Sequence, residues 1–295
     1  MKYELKVRYM HEIGLRSNQE DAIYPAPANV TDVARCFVLC DGVGGHDSGE
    51  VASNAVCSAL GGYIDENFDE NTLLTADDFC AALQATYDYL DTCDTYENKK
   101  MATTMAFLAL HAGGALVAHI GDSRVYHLRP GSGILFETRD HSLVNDLIRI
   151  GELTEEAAKN FERRNVITRV MQPNSGRRFK ADIRVISDVK EDDIFFLCSD
   201  GVNETLESRS IADILLDDCR SDDEKMEKIK QLSANSHDNH TALYMRVCAV
   251  TPSAYERLSM PAEKAVASYS RWGKLLLLLF LLLAIIAAVI AIVFL

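Results

Sequence analysis

A run of apolar residues that leads straight into Asp-Gly occurs twice in this chain, and it restricts the possible folds more than any other feature. The first copy is Phe37-Val38-Leu39-Cys40-Asp41-Gly42-Val43-Gly44-Gly45-His46; the second, about 160 residues on, is Ile194-Phe195-Phe196-Leu197-Cys198-Ser199-Asp200-Gly201. Short apolar runs bounded by a turn dipeptide predict strands covered on both faces. Asp41 then stands at a strand end in a tight turn, where glycines let main-chain groups come close to a ligand, so that the turn can offer a carboxylate and a main-chain carbonyl to one cation. Asp-Gly is also an ordinary turn dipeptide, and it is the recurrence that favours a ligand. A third aspartate, Asp238, precedes the strand-like Thr241-Ala242-Leu243-Tyr244-Met245-Arg246-Val247. Three carboxylates at the ends of three buried strands predict one shared site. Without a cation each close pair costs about 4 kcal/mol at an effective dielectric near 20, or a pKa rises. A divalent ion removes the conflict, and all-oxygen donors select Mg²⁺ or Mn²⁺ over zinc or copper.

The 295 residues, 48% of them apolar, are enough for one large domain or two small ones. The formal net charge of −14 argues against nucleic acid as a partner, which would need a basic face. Eight cysteines are dispersed, several in apolar strand-like runs and none in a Cys-x-x-Cys pair, so neither a disulfide framework nor a zinc site is expected. The N-terminal residues alternate like an antiparallel strand and are not a signal peptide.

The C-terminal end differs in kind. All 21 residues from Leu275 to Leu295 are apolar, enough to cross about 30 Å of hydrocarbon as a helix. Arg271 and Lys274 flank its N-terminal side with Trp272 between them. The positive-inside rule then leaves the preceding domain in the cytoplasm. The expected organisation is a domain over 1–250, a tether over 251–274 and a tail-anchored, single-pass membrane helix over 275–295.

Between these landmarks, residues 1–13 read as a strand and Gly14 to Asp21 as a turn. Helical spacing runs from Glu50 to Tyr63, with Val51, Ala55, Val56 and Leu60 on one face and Gly61-Gly62 near its end. A second helix, Ala76 to Leu90, opens on a Thr75–Asp78 capping box. Residues 101–137 read as a meander of four strands, in which Thr103 and Thr104 are strand residues rather than catalysts. The polar interval from Asp140 to Gln172 holds two short helices, the second with a capping-box signature at Thr154. Arg163, Arg164 and Arg169 read as salt-bridged surface, and His141 and His237 as turn or hydrogen-bonding residues. Further strands cover Asp182–Ile186 and Ile194–Cys198, and helices cover Ser210–Leu216 and Asp222–Leu232.

Seven segments in this order carry a resemblance: Arg16-Ser17-Asn18-Gln19-Glu20-Asp21, Asp41 to His46, Met101-Ala102-Thr103-Thr104, Gly121-Asp122-Ser123-Arg124, Asp140-His141-Ser142-Leu143-Val144, Ser199-Asp200-Gly201 and His237-Asp238-Asn239. From about Val7 to Val250 the chain resembles the metal-dependent Ser/Thr protein phosphatases of type 2C (PPM family), bacterial type. The resemblance implies an α+β fold, an α/β/β/α sandwich of two antiparallel sheets flanked by helices. It implies two Mn²⁺ or Mg²⁺ ions, with Asp41 bridging them, the Gly42 carbonyl on one, and Asp200 and Asp238 on the other. Asp122 would bind a third, weaker ion; as a residue it also fits an ordinary turn. Glu20 and Asp21 would hold metal-bound waters, and Arg16 the substrate phosphate, which a guanidinium grips with two parallel hydrogen bonds. A water bridging the two metals would attack phosphorus in line. Gln19 stands where relatives often have Asn, Ala102 where Gly is usual, and Val43 where some eukaryotic relatives carry a candidate general-acid His. The expected partners are phosphorylated proteins, the membrane, and a membrane Ser/Thr kinase acting in opposition. The other readings are a catalytically dead fold serving as a membrane-bound binding module, and an enzyme aimed at a partner-switching phosphoprotein.

Overall fold

Residue alternation sets the layering. In β1 (Lys2–Glu12) Tyr3, Leu5 and Val7 are buried while Lys2, Glu4 and Lys6 are not, so this strand has one covered face over that stretch. The computed structural model describes residues 1–44, 48–94, 101–158, 161, 163 and 166–252. Along the chain follow β2 (Asp21–Tyr24), β3 (Cys36–Val43), α1 (Ser48–Asn67), α2 (Ala76–Cys93), β4 (Ala102–Thr103), β5 (Met105–His111), β6 (Gly114–Ile120), β7 (Arg124–Arg129) and β8 (Gly133–Glu137). Then come α3 (Leu143–Arg149), α4 (Glu155–Ala158), β9 (Asp182–Ile186), β10 (Ile194–Cys198), α5 (Asp200–Asn203), α6 (Ser208–Leu215), α7 (Asp222–Ser233) and β11 (His240–Thr251).

Two antiparallel sheets result, ordered β1-β11-β10-β7-β8 and β2-β3-β5-β6-β9, with β4 alongside β3. Their inner faces meet through Leu5, Phe37, Leu39, Leu108, Phe195, Leu197 and Leu243. Val56, Leu60, Phe79 and Leu83 of α1 and α2 cover the outer face of the second sheet, meeting Val38 and Cys40. Ile211 and Leu215 of α6 and Ile229 of α7 cover the first sheet at Phe196 and Tyr244. The continuous apolar runs are thereby explained: Phe37 and Leu39 face the opposite sheet while Val38 and Cys40 face α1, and β10 divides its residues in the same way. At about 25 cal/mol per Å² of apolar area buried, these two strands contribute heavily to the hydrophobic stabilisation.

Several expectations need correction. β3 does not stop at Asp41: it runs on to Val43, because β4 pairs with Gly42 and Val43. The 101–137 segment is not one meander. β5 and β6 lie in one sheet and β7 and β8 in the other, so Gly121-Asp122-Ser123 crosses between sheets. Helix α1 passes through Gly61 and Gly62 to Asn67, and Gly61 is needed there because a Cβ would lie 2.2 Å from the Tyr24 ring. Its buried face carries Ala52, Ala55, Val56 and Leu60, while Val51 is exposed. The Thr75–Asp78 capping box forms, as does one at Ser221–Glu224. At Thr154 only half a box exists: its hydroxyl accepts from Ala157 N at 3.2 Å, and an alanine cannot reciprocate.

Contacts separate Met1–Thr251 from Pro252–Leu295, and the fold above is that of the first unit. Among the described residues no helix is long and apolar enough to cross a membrane; the apolar run 275–295, most of its tether and Arg164 lie outside them.

A charged network closes the far side of the first sheet. Asp193, fully buried, accepts from Arg129 Nε at 2.6 Å and Nη2 at 2.9 Å, meets His127 Nε2 at 2.9 Å and accepts from the Lys190 N–H at 2.9 Å. Burial alone would raise the Asp193 pKa, but Arg129, His127 and that N–H outweigh it and hold it at about 2. Asp193→Asn leaves buried partners short of a charge and should cost about 3–5 kcal/mol in urea unfolding. Because the folded pKa lies below the unfolded one, the ionised group's contribution is present above pH ~4 and lost as pH falls towards 2. A plot of Tm against pH should lose part of its acid-side slope in the variant.

Candidate active site

Loops and strand ends from both sheets meet at one rim of the sandwich. Asp41 reaches it within β3, and its backbone is fixed by the two threonines after Met101. Asp41 N donates to Thr104 Oγ1 at 3.0 Å, while Asp41 O accepts from Thr104 N and from Thr103 Oγ1, each at 2.9 Å. Gly42 N donates to Glu20 O at 3.1 Å. A Cβ on Gly42 would sit 2.4 Å from the Gly49 backbone, so this glycine lets the first turn of α1 close over β3. Asp200 comes from the other sheet. It is the first residue of α5, whose N-cap is Ser199, rather than part of a plain turn.

Asp238 lies just before β11, and its Oδ2 accepts from Arg16 Nη2 at 2.6 Å. Arg16 sits in the loop after β1 with half its side chain in solvent. That loop is pinned by Asn239: its Oδ1 accepts from Glu20 N at 2.7 Å, and its Nδ2 donates to Ile13 O at 2.8 Å and to Asn18 O at 3.0 Å. Asp21, buried at the start of β2, pairs in register with Asp41 and accepts from Ser199 Oγ at 2.7 Å. Asp122 occupies the crossing between sheets, where Ser123 Oγ meets Thr104 Oγ1 at 2.7 Å.

The electrostatics of this rim are those of crowded like charges. Burial, then Asp200, Asp21, Asp122 and Asp238, push the Asp41 carboxyl well above its usual range. Burial and then Asp238 raise Asp200 to about 6, and burial and then Asp200 raise Asp122 to about 7. Burial pushes Asp21 to about 7 despite the Ser199 hydroxyl. Asp122 Oδ1 and Asp200 Oδ1 are buried atoms without a hydrogen-bond partner. Buried, unpaired carboxylate oxygens are costly alone and are the donor type that hard divalent ions take. The residues therefore fit Mn²⁺ or Mg²⁺.

Of the expected site residues, Arg16, Glu20, Asp21, Asp41, Gly42, Asp122, Asp200 and Asp238 all lie at this rim. Glu20 contributes its main chain, with its carboxylate accepting from Asn18 Nδ2 at 3.1 Å. Arg169 pairs with Asp182 at 3.1 Å and His237 with Glu204 at 3.2 Å. His46 lies outside the described residues. Thr104, Ser199 and Asn239 hold the site through hydrogen bonds and had no expected role in it; all three sit inside the quoted motifs, which was the available signal.

Residues 12–235 match the family Protein phosphatase 2C. The chain belongs to the protein phosphatase 2C family. A putative protein phosphatase 2C-type protein of Streptococcus pyogenes is 31% identical over 229 residues, which is 76% of this chain and 90% of that one. The serine/threonine protein phosphatase PstP of Mycobacterium tuberculosis is 32% identical over 204 residues, 68% of this chain but 37% of PstP. Its crystal structure aligns with a TM-score of 0.72 at 27% identity, covering 83% of this chain and 99% of that chain. A structure of the PstP catalytic domain in complex with two manganese ions aligns at 0.68 with 27% identity, covering 83% and 98%. The two-sheet fold of the family is thus the fold of this chain.

Removing one carboxylate should stabilise the chelator-treated protein. At pH 8, Asp41→Asn or Asp200→Asn should raise its unfolding free energy by about 1–3 kcal/mol. Saturating Mn²⁺ should reverse the order, since the ion stabilises the intact site more. The raised carboxyl pKa values set the sign of the pH effect. Stability in chelator is full below about pH 4 and is lost as pH rises through 6 to 7. Thermal unfolding from pH 5 to 8 with EDTA or Mn²⁺ measures both.

Proposed function

We propose that this chain hydrolyses phosphoserine and phosphothreonine on proteins at a membrane surface, in opposition to a Ser/Thr kinase. The observation carrying the reading is the convergence of Asp21, Asp41, Asp122, Asp200 and Asp238 around partnerless carboxylate oxygens, with Arg16 at the open edge. Asp41, the Gly42 carbonyl, Asp200 and Asp238 would hold two Mn²⁺ or Mg²⁺ ions, Asp21 and Glu20 would orient their waters, and Asp122 would serve a third. Bound there, the ions supply water activation and neutralise phosphoryl charge.

The chain's own part is positioning. Arg16 binds phosphoryl oxygens and fixes the approach for in-line displacement, which requires near-attack geometry more than a protein nucleophile. Burial raises the Cys40 thiol well above its usual range and Cys198 to about 12. Neither can supply a thiolate at neutral pH. Thr103 and Thr104 hold the Asp41 main chain, so their hydroxyls are spoken for. An inert binding module would not be expected to keep five repelling carboxylates, each a cost to stability.

Membrane attachment rests on the apolar run Leu275–Leu295 with Arg271 and Lys274 before it, which would leave the catalytic domain in the cytoplasm. Hydrolysis of a phosphothreonine peptide and of p-nitrophenyl phosphate should require Mn²⁺ or Mg²⁺. Asp41→Asn and Asp200→Asn should each lose on the order of 10³-fold in kcat, and Arg16→Ala about 10–100-fold in kcat/KM. No turnover under any divalent ion would overturn the enzyme reading. In a separate assay, the full chain should stay in the pellet after carbonate extraction and a chain ending at residue 252 should not; release of the full chain would count against the anchor.

A further inference from the structure

Asp122 hangs on a glycine. Gly121 adopts φ +107, and a Cβ there would lie 2.6 Å from Thr104 Cγ2, so no other residue fits. A glycine leaves the orientation of the next residue to whatever holds the backbone from outside. Both polar groups of Gly121 go to one partner. Gly121 N donates to His141 Nδ1 at 3.1 Å, and His141 N donates to Gly121 O at 2.9 Å. His141 is 6% exposed, its ring stacked on His119 at 4.5 Å. On the other side of the crossing, Arg124 grips Asp140, the residue before His141, through two bonds of 2.7 Å.

The far edge of His141 faces the polar interval beside the site. Its carbonyl accepts from Thr168 N at 2.8 Å, and its Nε2 lies 3.4 Å from Asp182 Oδ2, which Arg169 Nη1 also approaches through Oδ1 at 3.1 Å.

His119, His141 and Asp182 present ligand atoms within 4.8 Å of one another, which invites a metal site. The tautomer argues otherwise. Gly121 N can only donate, so His141 Nδ1 keeps its lone pair and the neutral ring carries its proton on Nε2, pointing at Asp182. A metal on Nε2 would move that proton to Nδ1 and break the Gly121 bond, and the Arg169 guanidinium already stands 3.2 Å away.

Resting on the reading of Asp122 as a metal ligand, we propose that His141 is a positioning residue. It sets the orientation of Asp122 through Gly121 and ties that orientation to the Thr168–Arg169 segment and Asp182. It touches neither substrate nor ion.

The test uses the full chain in detergent, titrated with Mn²⁺ by calorimetry and by electron paramagnetic resonance. His141→Phe keeps a stackable ring and removes the acceptor; His141→Asn returns an acceptor near the Nδ1 position. The Phe variant should weaken the weakest Mn²⁺ site by about 10–100-fold, the range for partners that orient a ligand, leave the tighter sites unchanged, and lower kcat for p-nitrophenyl phosphate with little change in KM. The Asn variant should restore most of both. Asp182→Asn, at an exposed position that leaves folding intact, should weaken the same site by a smaller factor. Wild-type Mn²⁺ stoichiometry and affinities in the Phe variant would overturn the proposal. If that variant does not fold, unchanged Mn²⁺ affinity in Asp182→Asn overturns the link to the segment. Asp122→Asn separates the two levels of argument: if it leaves every Mn²⁺ site intact, Asp122 is no ligand and the proposal falls while the two-ion phosphatase stands. If the wild type binds no Mn²⁺, both fall.

Discussion

The rest of this structure is arranged to hold carboxylates together that would otherwise push apart. Asp200, Asp21, Asp122 and Asp238 each raise the pKa of Asp41; Asp200 and Asp238 also raise that of Asp21, and Asp200 raises that of Asp122. Side chains alone could not hold such a group, since flexible carboxylates would rotate away into water. Main-chain clamps do the holding. The Asp41 N–H and C=O are bound by Thr103 and Thr104, and Asn239 spans two loops with three bonds. Each bond is worth about 1 kcal/mol net, and each is anchored in strands whose burial is worth more. The hydrophobic sandwich thus supplies the rigidity, and the rim carries the strain that a functional site stores.

The two-sheet topology explains why the carboxylates come from so many segments. A single sheet presents its strand ends in a row; two packed sheets present two rows facing each other. Asp41 belongs to one row and Asp200 to the other, and Asp21 bridges them, with its register partner in β3 and its hydrogen bond to Ser199 beyond β10. The link between β6 and β7 crosses from sheet to sheet at the same rim, which brings Asp122 to the group. One crossing thereby serves both connectivity and chemistry.

How much of this was legible depended on range. The capping box at Thr75 is written in residues three apart, and the paired faces of β3 and β10 in consecutive apolar residues. Asp41 and Asp200 were legible because each follows such a run, and Asp238 because it precedes one; Asp21 and Asp122 came only through the resemblance. What the residues did not reveal is set by partners far along the chain. β3 outlasts Asp41 only because β4, about 60 residues on, pairs with it. The split of the apparent meander between two sheets leaves no mark on the strands themselves, since β6 and β7 both read as buried strands. Asn239 acts through bonds to Glu20, Ile13 and Asn18, which its residue type does not announce; His141 reads as a hydrogen-bonding residue, but its partner Gly121 does not follow from that.

The Arg16–Asp238 pair shows how loosely the open edge is held compared with the floor. The guanidinium is half in solvent and the carboxylate about a third, so the pair contributes about 0–1 kcal/mol, far less than the buried Arg129–Asp193 network. A weak pair suits a residue with two successive partners. Arg16 can exchange Asp238 for a phosphoryl group at little cost, because a phosphate dianion offers a guanidinium the same two-oxygen geometry with more charge. Asp238, relieved of its cation, would then be free to face the ions of the proposed site. The arginine therefore parks on a carboxylate at the edge of the site and keeps it from adding to the repulsion within.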